Sequence, residues 1–376
     1  GGVEYDSVED YIAKNNGTED LYGKKENLDI KLNINKIKEY TKKISNNSNY
    51  TIIAVVKANG YGLGLAEYSN FLVQNGIQYL AVATLEEALE LKKQSINAHI
   101  LLLSPLNTNK DMEIAVQNDI IITIDSKVNS NIANDLSKKG YNIKAHIKVD
   151  TGFGRYGFLY SDKNAIFETV NELVKNNIKV EGIFSHFSMA YYKNNKQTLM
   201  QYTRFKEVLT YLEKNNINID LKHICNSPAI LNYPEMCLNA ARIGSAFTGR
   251  VCAEENIGLK KIGELNLNVA EIRTLPKDFT VSYLSTFKTK RETKIAVLQI
   301  GTAEGYNVGP KVDMFRVRDK LGRIYQQIKA LFIKQKLTAV INEKRYDIIG
   351  TVRNISCFSW YNRWKYKSWR YCYTYS

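Results

Sequence analysis

The stretch TIIAVVKANGYGLG, residues 51–64, decides how the rest of the chain is read. Its first six residues are apolar or β-branched with no polar alternate. That is the pattern of a strand buried on both faces of a parallel sheet. Lys57 then arrives where the chain should still be indoors, and a tyrosine and glycine-rich steps follow it. A barrel strand that ends in lysine points it at the face where barrel active sites lie. Apolar walls disfavour an ammonium ion and lower its pKa, which leaves a nucleophilic amine able to bond to a carbonyl carbon. Taken alone, Lys57 has a plainer account: its stem packs and its head reaches water.

Seven more runs of this kind follow: 79–83, 99–103, 119–124, 144–149, 179–184, 221–225 and 238–244. Helix-patterned segments such as TLEEALELKKQ and NAIFETVNELVKNN lie between them. Eight βα repeats over about 200 residues predict a (β/α)8 barrel in the α/β class. A doubly wound sheet is the alternative, but its GxGxxG turn is missing. Beyond residue 263 the pattern changes to turn-linked strands: NVAEIRTL, TVSYLSTF, TKIAVLQIG and KLTAVINEKRYDIIGTV, with one helical stretch, RDKLGRIYQQIKALF. The expected organisation is an N-terminal extension over 1–26, a barrel over 27–263, a mainly β domain over 264–352 and a tail over 353–376.

The 376 residues are 44% hydrophobic and 24% charged, enough apolar matter for a real core and enough length for two domains. No apolar run approaches the length of a membrane span. The start has neither an initiator methionine nor an apolar leader, so a soluble fragment or processed chain located in the cytoplasm is expected. The five cysteines form no CxxC pair. Reduced thiols are expected rather than a disulfide framework, and no metal site. The net charge of +14 raises nucleic acid as a partner, but the lysines are spread over solvated helix faces.

The tail RNISCFSWYNRWKYKSWRYCYTYS holds all three tryptophans and five basic residues with no acidic one. Stacking on single strands is one account of such a composition. A reading-frame shift is the simpler one: with permitted codon choices, the bases read one position later encode an alternating β sequence with a glycine turn. Removing those five charges from +14 leaves +9 for residues 1–352 and weakens the nucleic-acid reading further.

KANGYGLG resembles the pyridoxal-phosphate motif of the alanine racemase family. AHIKVDTGFGRYGF (145–158), VEGIFSHF (180–187), HICNSPA (223–229), ARIGSAFTG (241–249), TVSYLSTF (280–287) and IGTAEGY (300–306) resemble that family's further signature segments, in its order. The resemblance covers about residues 27–352 and implies a barrel followed by a β domain, with pyridoxal 5′-phosphate as cofactor.

It also implies roles. Lys57 would hold the cofactor covalently and act as the base on one face of the substrate. Tyr61 would hydrogen-bond the phosphate. Asn226, Ser227 and the backbone around Gly244 and Ser245 would form the phosphate cup, where barrels often bind phosphate. Arg155 would sit near the cofactor's phenolic oxygen and the substrate carboxylate, which a guanidinium fork suits. His186 would lie against the pyridine ring. Lys148 matches a family lysine that is often carbamylated. Arg242, oriented by His223, would face the pyridine nitrogen; it donates a hydrogen bond without giving up its proton, which restrains the ring as an electron sink. Tyr283 would be the second base, on the opposite face, and would come from the partner subunit of a symmetric homodimer.

The chain departs from the family at Leu63, Leu284, Thr302 and Glu304, and through its tail. The implied activity is interconversion of L- and D-alanine, which supplies D-alanine for peptidoglycan, with no nucleic-acid or membrane partner. Serine is the nearest alternative substrate, because one hydroxyl is hard to exclude from a small pocket. Two further readings are a non-catalytic pyridoxal-phosphate binder and a frameshifted, inactive racemase.

Overall fold

The structure is a computed structural model and describes residues 19–45, 50–255, 257–262, 269–298, 338–341, 344–349, 357–361 and 371–372. The chain divides into two compact units, Gly1–Ile262 and Gly263–Ser376.

The first unit is the barrel. Its parallel strands are β1 (Thr51–Val55), β2 (Tyr79–Val82), β3 (His99–Leu102), β4 (Ile122–Ile124), β5 (Lys144–Asp150), β7 (Lys179–Phe184), β8 (Leu221–His223) and β9 (Ala240–Ile243), with a short β6 (Phe158–Leu159) beside β5. Their order is β3-β2-β1-β9-β8-β7-β5-β4, and a parallel bridge between Leu101 and Ile121 joins the two ends. Each of the eight apolar runs of the sequence contributes one of these strands.

The pleat explains why both faces are apolar. Ile53, Val55, Ala81, Leu101, Ile121 and Ala240 form an inner cluster. Their strand neighbours Ala54, Val56, Leu80, Val82, Ile100 and Leu102 pack outward in the larger cluster shared with the helices. On β5 the set is different: Ala145, Ile147 and Val149 belong to the outer cluster, while the alternate residues His146, Lys148 and Asp150 are buried and polar. With His223 of β8 and Arg242 of β9, they give one side of the barrel a polar, charged lining.

Helix α1 (Glu19–Ser45) begins inside the stretch read as an extension. It docks through Ile30, Ile34, Ile37 and Thr41, a helical spacing. Buried Asn33 fastens it: its side chain donates to the Phe247 and Lys260 carbonyls at 2.8 and 2.7 Å and accepts from Lys260 N at 2.8 Å. Among the described residues no helix is long and apolar enough to cross a membrane.

The second unit is mainly β. An antiparallel six-stranded sheet has the order β10 (Val269–Leu275), β13 (Thr293–Leu298), β16 (Cys357–Tyr361), β15 (Lys344–Ile349), β14 (Thr338–Ile341) and β17 (Tyr371–Cys372). Leu275, Val281, Ile295 and Ile349 form its small core. TVSYLSTF is not one strand. It is a hairpin of β11 (Thr280–Val281) and β12 (Phe287–Lys288) around a tight turn at Tyr283–Ser285. Positive φ at Ser282, Leu284 and Ser285 forbids a continuous strand there. Residues 300–306, the helical stretch 318–332 and most of 353–376 lie outside the described residues.

Candidate active site

The chain leaves β1 at Lys57 and makes a left-handed turn through Ala58 (φ 55°), Asn59 (φ 53°), Gly60 (φ 62°) and Tyr61 (φ 57°). Each non-glycine residue in that region costs about 1–2 kcal/mol. Hydrogen bonds offset the strain. Gly60 N donates to Val56 O at 2.9 Å, and Gly62 N to Asn59 O at 3.0 Å. Asn59 Oδ1 accepts from Leu65 N at 2.9 Å, and Glu87 Oε1 accepts from Ala58 N at 2.6 Å. The turn brings Tyr61 against the end of β9, where a Cβ on residue 244 would overlap the Tyr61 hydroxyl. Glycine is what lets backbone and phenol meet.

β8 and β9 supply the opposite wall. Asn226 caps the short helix Ser227–Asn232, its Oδ1 accepting from Ala229 N at 3.2 Å. Ser227 Oγ accepts from Gly244 N at 3.0 Å and from Ala246 N at 3.3 Å. These bonds bind the two strand-end loops into one hydroxyl- and amide-rich corner.

Arg242 is buried and its hydrogen bonds go to neutral acceptors. Nη1 donates to His223 Nδ1 at 2.6 Å, and Nη2 to Ser185 O at 2.6 Å and to His186 Nδ1 at 3.0 Å. Burial lowers its pKa to about 10, so it stays cationic at neutral pH. Burial and the Arg242 charge push His186 and His223 well below the usual imidazole range, and His146 down to about 3. All three rings are neutral. His223 Nε2 lies 3.0 Å from His146 Nδ1, and His146 Nε2 lies 3.9 Å from Glu181 Oε1.

Lys148 is 4% exposed, and its Nζ donates to Val149 O at 3.1 Å. Burial, with the Arg242 charge, lowers its pKa to about 7. The Phe184 ring lies 5.1 Å from both Lys148 Nζ and Arg242 Cζ, and stacks on His223 at 5.0 Å. Arg155 follows a loop gripped by Asp150, whose carboxylate accepts from the backbone N–H of Gly152, Phe153 and Gly154 at 2.8 Å each. The Arg155 guanidinium stacks on Phe153 at 4.5 Å.

Lys57, Tyr61, Lys148, Arg155, His186, Asn226, Ser227, Arg242, Gly244 and Ser245 line one cavity of about 440 Å³ at the C-terminal ends of the barrel strands. That volume lies in the range of small-molecule sites. His223 stands behind Arg242 and does not line it. Phe184 and the Cys252 and Tyr191 side chains also face it, and the sequence reading missed them. Tyr283 belongs to the second unit and is 68% exposed. Among the described residues no cluster of His, Cys, Asp and Glu could hold a metal ion.

Residues 29–251 match the family "Alanine racemase, N-terminal domain", and residues 262–354 match "Alanine racemase, C-terminal domain". The alanine racemase of Methanococcus maripaludis is 39% identical over 283 residues, 74% of this chain and 74% of that protein. The alanine racemase of Clostridium perfringens is 36% identical over 289 residues, 74% and 72% of the two chains. Among solved structures, the alanine racemase from E. faecalis superposes with a TM-score of 0.72 at 26% identity, covering 90% of this chain and 85% of that one. The Bartonella henselae alanine racemase with covalently bound pyridoxal phosphate superposes at 0.73 and 23% identity, covering 93% and 89%, which speaks for the fold alone.

Proposed function

The chain belongs to the alanine racemase family, and we propose that it interconverts L- and D-alanine with pyridoxal 5′-phosphate bound in the cavity around Lys57. One observation carries this reading: an amine, a phosphate-suited corner and a buried guanidinium converge on that cavity. The donor set fits the cofactor. Lys57 offers an amine to its aldehyde. Tyr61, Ser227, Ser245 and the backbone at Gly244 offer hydroxyl and amide donors to its phosphate, in the cradle that a Cβ at 244 would fill. Arg242 has no carboxylate among its hydrogen-bond partners, so its charge is available to the ring nitrogen.

When bound, pyridoxal phosphate supplies an electron sink that makes the substrate Cα proton acidic. The protein's residues do the rest. Arg242 stays protonated and donates without surrendering its proton, which limits that sink and favours return of a proton to Cα. Arg155 suits the substrate carboxylate. Lys57 Nζ takes or returns the proton on one face, and Tyr283 Oη serves the other. Each cavity would be completed by Tyr283 of the partner subunit, so the active unit is a symmetric homodimer. Cys225, Cys237 and Cys252 are free thiols, in keeping with a reducing, cytoplasmic setting, and the product would be D-alanine for peptidoglycan.

The test is borohydride reduction of the protein mixed with pyridoxal phosphate, followed by peptide mapping and a racemisation assay. The expected result is label on Lys57, turnover of alanine above serine, activity that falls as the protein is diluted below its dimerisation constant, and its loss in Lys57→Ala and Tyr283→Phe. Label elsewhere, or turnover in Lys57→Ala, overturns the proposal.

A further inference from the structure

Glu87 is the N3 residue of the helix Leu85–Lys93, and its sequence context, Thr84 to Glu87, reads as an ordinary capping box. The geometry is different. The bond from the N-cap amide, Thr84 N, is the longest the carboxylate accepts, at 3.4 Å. Its short bonds come from Ala58 N to Oε1 at 2.6 Å and from Ala83 N to Oε2 at 2.9 Å. Ala58 directly follows Lys57 and opens the left-handed turn. Ala83 follows β2 and lines the cavity.

One carboxylate therefore holds two neighbouring strand-end loops, and each of its oxygens takes one. A charged acceptor makes the stronger kind of hydrogen bond. It falls where the backbone most needs one, on a residue with φ 55° that carries a side chain.

We propose that Glu87 is a positioning residue for Lys57: its two-handed grip on Ala58 and Ala83 sets the left-handed turn that aims the amine into the cavity. This rests on the reading of Lys57 as the covalent anchor.

Glu87→Gln separates positioning from capping. Glutamine serves a capping box as glutamate does, but one of its two termini is an NH2 group that cannot accept from Ala58 or Ala83. Thr84→Ala does the converse. It removes the cap hydroxyl that accepts from Glu87 N at 3.3 Å and leaves the carboxylate in place. Wild type and both variants are titrated with pyridoxal phosphate, reduced with borohydride and mapped, with thermal unfolding followed in parallel.

The expected outcome is roughly ten-fold weaker covalent capture at Lys57 in Glu87→Gln, about 1.4 kcal/mol. Thr84→Ala should lose melting temperature and keep wild-type capture. Equal capture by wild type and Glu87→Gln overturns the proposal. So does a loss in Thr84→Ala as large as in Glu87→Gln, because the helix cap would then set the turn. Should Glu87→Gln fail to fold, residue-resolved hydrogen exchange of the wild-type protein decides. Protection of the Ala58 amide like that of β1 supports the grip, and open-loop exchange there overturns it. Absence of label on wild-type Lys57 at any cofactor concentration overturns the reading of the site as well, and so is distinguishable from failure of Glu87 alone.

Discussion

Arg242 Nη1 donates to His223 Nδ1 across 2.6 Å, and this contact sets the protonation of the rings behind it. A guanidinium only donates. His223 Nδ1 must therefore accept, its hydrogen sits on Nε2, and that hydrogen points at His146 Nδ1, 3.0 Å away. His146 in turn carries its hydrogen on Nε2, toward buried Glu181. His223→Phe keeps a ring in the slot but leaves one Arg242 N–H and the His146 acceptor without their side-chain partner. The expected loss is about 3 kcal/mol of stability, from a charged donor left buried without its partner. Denaturant unfolding at pH 7.5 measures it, and an unchanged midpoint would refute the role given to His223.

His146, His186 and His223 together make the first unit acid-sensitive. Their folded pKa values are depressed, so below about pH 6.5 the unfolded chain binds protons that the folded one refuses, down to about pH 3 for His146. Stability then rises with pH in that window and is lost as pH falls. With all three contributing, the limiting slope is about 4 kcal/mol per pH unit. Unfolding midpoints at pH 7, 6 and 5 should drop steeply over the last interval. A flat profile would mean that the rings are protonated in the folded state.

Two glycines should respond oppositely to alanine. At Gly182 the new Cβ overlaps the His146 ring, which is fully buried and bonded on one side to His223. Overpacking there should cost about 3 kcal/mol. At Gly244 the Cβ overlaps the tip of Tyr61, which is 37% exposed. Gly244→Ala should unfold within about 1 kcal/mol of wild type and yet bind pyridoxal phosphate more weakly, because the phenol is displaced. Melting curves and cofactor titrations on both variants check the contrast.

The barrel was legible because strands buried on both faces leave uninterrupted apolar runs, and all eight runs became strands. The polar lining escaped: KAHIKVD reads as one more apolar run, although His146, Lys148 and Asp150 stand at alternate positions and hence on one face. What escaped is instructive. Phe184 reads as one more core aromatic in VEGIFSHF, and only tertiary packing sets its ring against Lys148, Arg242 and His223. Glu87 reads as a helix cap because its better partners lie in another βα unit. TVSYLSTF reads as a strand because nothing in its composition announces Ser282 at φ 67° or Leu284 at φ 61°. Leu284 carries a side chain at a φ that glycine bears without strain.

Lys148 is a buried amine whose own charge conflicts with its surroundings. Burial and the nearby Arg242 and Arg155 cations all disfavour its ammonium form. With a folded pKa of about 7 against about 10.4 unfolded, a large share of it is neutral amine at physiological pH. A neutral amine attacks carbon dioxide, and the carbamate formed carries a negative charge. That product reverses the conflict by putting an anion where two guanidiniums bear on the site. Carbamylation of Lys148 is therefore expected. The protein equilibrated with 13C-bicarbonate should give a carbamate carbonyl resonance that is absent from Lys148→Met. It should fade below pH 6, where the amine is protonated and carbamates lose carbon dioxide. The same spectrum from wild type and Lys148→Met would place the carbamate elsewhere. No resonance at pH 8 would mean that the arginines are satisfied without it.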